Sequence, residues 1–214
     1  MTLYVKIFKH LAEFDLNVEF EVDQKAMGLM GASGSGKSMT LKCIAGIETP
    51  DYGKIILNNK VLFDSEKKIN LPIQKRNVGY LFQNYALFPN MSVKENIACG
   101  LKAHKVESIE EKIDSALKQF HIYELKNRYP NQLSGGQKQR VALARLVAYD
   151  PDVLLFDEPF SALDEDLKEG LMKELKPILS MDKPVIFVSH NKEEVQYLCE
   201  RKYKIKQGIM EEKE

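Results

Sequence analysis

The chain has 214 residues, of which 44% are hydrophobic, with 31 basic and 31 acidic side chains and a formal net charge of zero. That apolar content can bury a substantial core, which excludes an intrinsically disordered chain, and the balanced charge offers no basic footprint for nucleic acid. No stretch approaches the ~18 continuous apolar residues of a membrane-spanning helix.

Met1–Lys6 lacks the basic segment and apolar core of a signal peptide. Cys43, Cys99 and Cys199 are isolated and odd in number, without metal-ligand spacing, as expected of reduced thiols in a cytoplasmic protein. Leu3, Val5 and Ile7, then Phe14, Leu16, Val18, Phe20 and Val22, alternate with period two. This predicts two antiparallel strands with a turn near His10–Glu13. Ala26–Met30 is a short apolar run suited to a buried strand, and Met39–Ala45 is helix-compatible with Gly46 as its stop.

Between that strand and helix lies Gly31-Ala-Ser-Gly-Ser-Gly-Lys-Ser38, which matches the phosphate-binding loop pattern. Its glycines let successive backbone N–H groups turn inward around a polyphosphate. Lys37 adds a point charge for the outer phosphates, and the Ser38 hydroxyl can ligate Mg²⁺. The phosphate would then lie at a helix N-terminus.

Thr49–Gly53 has turn chemistry. Lys54–Leu57 and Lys60–Phe63 read as strands joined at Asn58-Asn59. Val78–Gln83 reads as a strand ending on a polar residue. Residues 90–148 change to helical spacing. Ser108-Ile-Glu-Glu111 predicts a capping box ahead of Ile109, Ile113, Ala116, Leu117 and Phe120. A second box, Ser134 with Gln137, opens a helix Gln137–Ala148 and leaves Gly135 and Gly136 beside a helix N-terminus, a second anion site made without a lysine.

Val153–Phe156 is an apolar strand leading into Asp157-Glu158. Placed after a phosphate loop, Asp157 can hold the metal or its water, and Glu158 can polarise an attacking water as general base. A last apolar strand, Val185–Val188, precedes His190, and Asn191 with Glu194 caps a helix Lys192–Arg201. Strands alternating with helices predict an α/β fold with a mainly parallel sheet.

In order, Gly31–Ser38, Gln83, Leu133–Gln137, Val153–Glu158, Ser161–Asp164 and His190 resemble the ATP-binding cassette of ABC transporters over essentially the whole chain. The resemblance implies a P-loop NTPase core with an antiparallel β subdomain (residues 1–83 and 149–214) and an inserted α-helical subdomain (about 84–148). It also implies ATP and Mg²⁺ as cofactors and a head-to-tail homodimer clamping two nucleotides. One chain would supply Gly31, Ala32, Ser33, Gly34, Ser35, Gly36, Lys37, Ser38 and Met39, and the other the signature Ser134, Gly135, Gly136 and Gln137. Gln83 would touch Mg²⁺ and the attacking water, His190 the γ-phosphate, and Asp164 the dimer interface. Phe14, with His10 as the alternative, would stack on adenine.

Asn84–Asn96 resembles importer cassettes, in which the region of Leu87-Phe88-Pro89 receives a membrane permease subunit served by a solute-binding protein. Such a subunit would lie on the inner face of the cell membrane. Val61–Asp64 and Val78–Gln83 look most like molybdate, tungstate or sulfate cassettes. A DNA-repair cassette would need a long coiled coil, and a translation-associated one a second cassette and a basic balance; neither feature is present. After the last helix only a short strand, Tyr203–Lys206, and a charged tail are expected. These are too few residues for a C-terminal solute-sensing domain, so the expected ATPase is indifferent to those anions.

Overall fold

The computed structural model describes residues 1–103, 107–161, 163, 165–180 and 182–213. They form two compact units, Met1–Tyr80 with Asp152–Glu158 and Leu175–Glu214, and Leu81–Pro151 with Pro159–Glu174. Among the described residues no helix is long and apolar enough to cross a membrane.

The first unit is built on one mixed sheet. Its antiparallel side contains β1 (Leu3–His10), β2 (Asp15–Val22), β4 (Tyr52–Leu57), β5 (Lys60–Asp64) and β6 (Ile69–Asn70). The β1–β2 register runs from Leu3 opposite Val22 to His10 opposite Asp15, so the period-two apolar set faces one core. Leu3, Val5, Ile7, Leu16, Val18 and Val22 are each at most 1% exposed.

The parallel side contains β3 (Ala26–Met30), β9 (Val185–Val188) and β8 (Val153–Asp157), with β10 (Arg201–Lys206) next to β3 and β7 (Val78–Leu81) next to β8. β8 and β9 are buried along their whole length, as continuous apolar runs in a covered parallel sheet must be. Helix α1 (Lys37–Ala45) follows β3 and ends at Gly46, whose left-handed backbone (φ 82°) returns its N–H to Cys43 O. The buried Arg76 guanidinium donates to Cys43 O and Ile44 O, placing a cation on the negative end of that helix.

The C-terminal segment corrects the sequence expectation. Helix α6 (Lys192–Leu198) ends before Arg201, and the supposed charged tail contains a strand, β11 (Ile209–Lys213). β11 pairs antiparallel with β10 and meets β2 at Ile209 opposite Asn17. Asn191 does cap α6, but its side chain accepts from the Glu193 N–H, while Glu194 accepts from the Ser189 hydroxyl.

The second unit carries α2 (Val93–Ala103), α3 (Ile109–Gln119) and α4 (Gly135–Ala148), packed through Ile97, Leu101, Ile113, Leu117, Val141 and Leu143. A further helix, α5 (Glu165–Leu179), begins in it. The box expected at Ser108 does not form. Ser108 has φ 54° and no side-chain cap bond, whereas an N-cap needs an extended backbone to aim its oxygen at the helix. The working box stands at α2, where Ser92 N–H donates to Glu95 Oε2 (2.7 Å) and Glu95 N–H to Ser92 Oγ (3.3 Å).

Candidate functional site

The loop between β3 and α1 enters the helix through Gly36, whose backbone is left-handed (φ 108°) and which supplies no capping side chain. A Cβ there would lie 2.8 Å from Leu16 Cδ1, so glycine is required by conformation and by space. Lys37 folds back, donating from Nζ to Gly31 O (2.9 Å) and Ala32 O (2.8 Å). Burial pushes its pKa down, and the Glu158 and Asp157 carboxylates oppose that shift. Ser35 Oγ is buried within the loop and has no hydrogen-bond partner. An orphaned polar atom beside uncapped helix N–H groups fits an anion taken up from outside.

Asp157 ends β8, and both of its oxygens are engaged. Oδ1 accepts from Ser38 Oγ (2.7 Å) and Oδ2 from Tyr80 OH (2.8 Å). A hydroxyl beside a carboxylate is a hard-oxygen donor set suited to Mg²⁺, which keeps several waters and takes its other ligands from phosphate. Among the described residues no cluster of three or more His, Cys, Asp or Glu side chains stands ready for a metal; a nucleotide–Mg²⁺ site does not need one. Glu158 follows with a left-handed backbone (φ 49°), costing about 1 kcal/mol or more for a non-glycine residue. Its N–H is tied to Val188 O (3.0 Å), and its carboxylate pairs with His190 Nδ1 just past β9. Asn191 N–H and the Glu194 carboxylate both meet Ser189 Oγ, which holds the turn bearing His190.

Phe14 lies in the β1–β2 turn and lines an open groove of about 670 Å³ with Ala32–Ser35 and Lys204–Gln207. That is within the roughly 300–1,000 Å³ of ligand clefts. It also lines an adjoining recess with Gly34–Met39. His10 borders neither groove, and its ring pairs with Asp15 instead. Gly208, in the β10–β11 turn, donates to Ser35 O (3.1 Å) and accepts from Asn17 N–H (2.8 Å). A Cβ on Gly208 would stand 2.1 Å from Asp15 O and 2.7 Å from the Phe14 ring.

In the second unit, Ser134 caps α4 through both halves of its box: Gln137 N–H donates to Ser134 Oγ (3.3 Å), and Ser134 N–H to Gln137 Oε1 (3.0 Å). The helix begins at Gly135, two residues ahead of the expected Gln137. A Cβ on Gly135 would meet nothing within 4 Å, whereas one on Gly136 would press into Leu167. Gln83 does not end a strand, since β7 stops at Leu81; its amide lies 3.3 Å from Ser161 Oγ. Asp164 lies outside the described residues.

Phe88 is 47% exposed on a tightly held loop. Asn96 accepts from the Phe88 N–H and donates to the carbonyls of Phe88, Met91 and Ser92. Arg145 donates to Tyr85 O and Ala86 O and places its guanidinium 5.7 Å from the Phe88 ring.

The family model described as ABC transporter matches residues 15–161, and the chain belongs to that family. Among curated relatives, it is 47% identical to the molybdate/tungstate import ATP-binding protein WtpC of Methanocaldococcus jannaschii, over 86% of this chain and 60% of that one. It is 41% identical to the sulfate/thiosulfate import ATP-binding protein CysA of Synechocystis (92% and 55%). It is 44% identical to the Fe(3+) ions import ATP-binding protein FbpC of Haemophilus influenzae (84% and 52%). The chain thus spans only about half to three-fifths of these relatives' length. A solved dimeric ATP-binding cassette in a post-hydrolysis state, bound to ADP and Pi, superposes with TM-score 0.81 at 28% identity, covering 99% of this chain and 98% of that one.

Tyr80, Gly208 and Arg76 were missed by sequence reasoning. No local pattern announces them, because their partners lie at Asp157, Ser35 and Cys43–Ile44.

Proposed function

We propose that the chain is the ATP-hydrolysing subunit of an ABC importer, working as a head-to-tail homodimer beneath separate membrane subunits. The observation that carries this is the convergence of Ser38 and Asp157 on one side and Glu158 and His190 on the other, at the ends of α1, β8 and β9. The uncapped N–H groups of the loop and Lys37 would hold the phosphates, with Ser38, Asp157 and Gln83 around Mg²⁺. Bound Mg²⁺ would neutralise charge on the outer phosphates. Glu158 would accept a proton from the water attacking the γ-phosphate, and His190 would keep its carboxylate aimed.

Phe14 would stack on adenine. Ser134–Gln137 and Asp164 would complete the partner's site, and the Phe88 loop would receive the permease. Identity to relatives named for molybdate, sulfate and iron does not separate these solutes, so molybdate and tungstate are the first to test, with a solute-binding protein outside the membrane.

Glu158→Gln is the test. It should keep ATP affinity within about threefold, lose at least 100-fold in turnover, and elute as a dimer on gel filtration with Mg-ATP. Near-normal turnover would remove Glu158 from the role of base.

A further inference from the structure

Asp157 is 6% exposed, and its carboxylate receives two hydroxyl hydrogen bonds, one on each oxygen. Ser38 belongs to the phosphate loop motif. Tyr80 does not; it comes from β7, beside β8 in the sheet. The terminal torsion of Asp is broad and roughly two-fold, so a single donor would anchor one oxygen and leave the other free to swing. Two donors fix the plane of the group.

We propose that Tyr80 is a positioning residue for cation binding: its hydroxyl holds Asp157 so that the remaining lone pairs of the carboxylate face the water shell of a Mg²⁺ ion ligated by Ser38. The inference rests on the nucleotide–Mg²⁺ reading above. Mg²⁺ requires near-ideal octahedral geometry and gives up water reluctantly, so the orientation of an outer carboxylate matters more for it than for softer or larger ions. In this bond the Tyr80 hydroxyl donates and Asp157 Oδ2 accepts.

Two effects of removing this hydroxyl oppose each other. The hydrogen bond withdraws charge from Asp157, and its loss would strengthen the pull on a cation. The same loss leaves Oδ2 without its donor in a nearly dry place, where the carboxylate reorients or the pocket admits water. Mg²⁺ affinity therefore falls if orientation dominates and rises if charge dominates.

The experiment titrates Mg²⁺ into the protein with ATP, in the parent and in Tyr80→Phe, following nucleotide binding by fluorescence, and repeats the nucleotide titration in EDTA. Tyr80→Phe should need about tenfold more Mg²⁺ for half-saturation, while ATP affinity in EDTA stays at the parental value and the melting temperature of the free protein falls by only a few degrees. Tyr80→Met, which fills the space without a hydroxyl, should give the same displacement and covers any failure of the phenylalanine variant to fold. A purely structural tyrosine would lower the melting temperature and leave Mg²⁺ half-saturation unmoved. Half-saturation within twofold of the parent, or tighter, overturns the proposal. A parent protein whose nucleotide binding ignores Mg²⁺ overturns the metal reading itself, and the proposal with it.

Discussion

Helices α1 and α4 both open on glycine-rich turns and finish their first turns differently. The N-cap of α1 is Gly36, left-handed and without a side chain to offer. The N-cap of α4 is Ser134, extended (φ −66°, ψ 167°), with its hydroxyl and Gln137 closing both halves of a capping box. A helix start carries four N–H groups without intrahelical partners. Side chains leave those of α1 to an incoming ligand, and Lys37 and Ser38 add charge and hydroxyl to the same place. At α4 one N–H is already satisfied by Ser134, and Gly135–Gln137 carry no charged side chain, the first cation being Lys138 a full turn in; what remains open is the bare surface of Gly135. Under the proposed function, the first would capture phosphate alone, and the second would complete a site where phosphate is already held.

Lys37→Ala should break the stronger half of this comparison. Loss of a charged donor to phosphate costs about 1.5–3 kcal/mol per hydrogen bond, so ATP affinity by calorimetry should fall roughly 100-fold, and hydrolysis with it. Gly135→Asp should separate the two helix starts. The open face admits the side chain, so folding and ATP affinity of the monomer should match the parent. ATPase activity should vanish, because a carboxylate set against the partner's nucleotide opposes closure. If Gly135→Asp weakens monomer binding as much as Lys37→Ala does, the two helix starts do not differ in the way described.

Gly208→Ala sharpens the account of the α1 site. It lies far from every recognised motif in sequence, yet it ties the β10–β11 turn to Ser35 and backs the Phe14 ring. Its φ of 79° and the 2.1 Å approach to Asp15 O leave no room for a methyl group. ATP affinity should drop about tenfold, with a smaller loss for inorganic triphosphate, which has no base to stack. Equal losses for both ligands would mean that Phe14 plays no part.

What could be read from the sequence follows the range of the interactions. The placing of Gly31–Ser38 between a strand and a helix, the buried runs Val153–Phe156 and Val185–Val188, and the Ser134–Gln137 box are local and emerged as expected. Ser108-Ile-Glu-Glu111 carries the same Ser-x-x-Glu pattern as Ser92–Glu95, and only the latter caps, because the backbone dihedral decides and the letters do not show it. β11 escaped because its Lys- and Glu-rich composition resembles a solvated tail, and its pairing with β2 is remote in sequence. The residues proposed for catalysis are legible by motif. The contacts of Tyr80 with Asp157 and of Gly208 with Phe14 are not, because they join distant segments.

The smallest expected effect tests whether the α4 cap is a matter of stability alone. Ser134→Ala removes the hydroxyl that accepts from Gln137 N–H and leaves the Gln137 side chain still able to reach Ser134's backbone N–H. Losing an N-cap side chain costs about 1 kcal/mol. In a chain of this size that lowers the melting temperature by about 2–4 °C. Ser134 is exposed and packs into no core, so no cavity adds to the cost. ATP affinity of the monomer should stay at the parental value, since the loop that binds it belongs to α1. If the hydroxyl also reaches the partner's phosphate, turnover at saturating ATP should fall beyond what the stability change accounts for. Ser134→Asp would then discriminate: aspartate caps as well as serine, but its charge repels phosphate. A variant with restored melting temperature and lost turnover would show that Ser134 serves the shared site as well as the helix. Restored melting temperature with parental turnover would confine it to the helix.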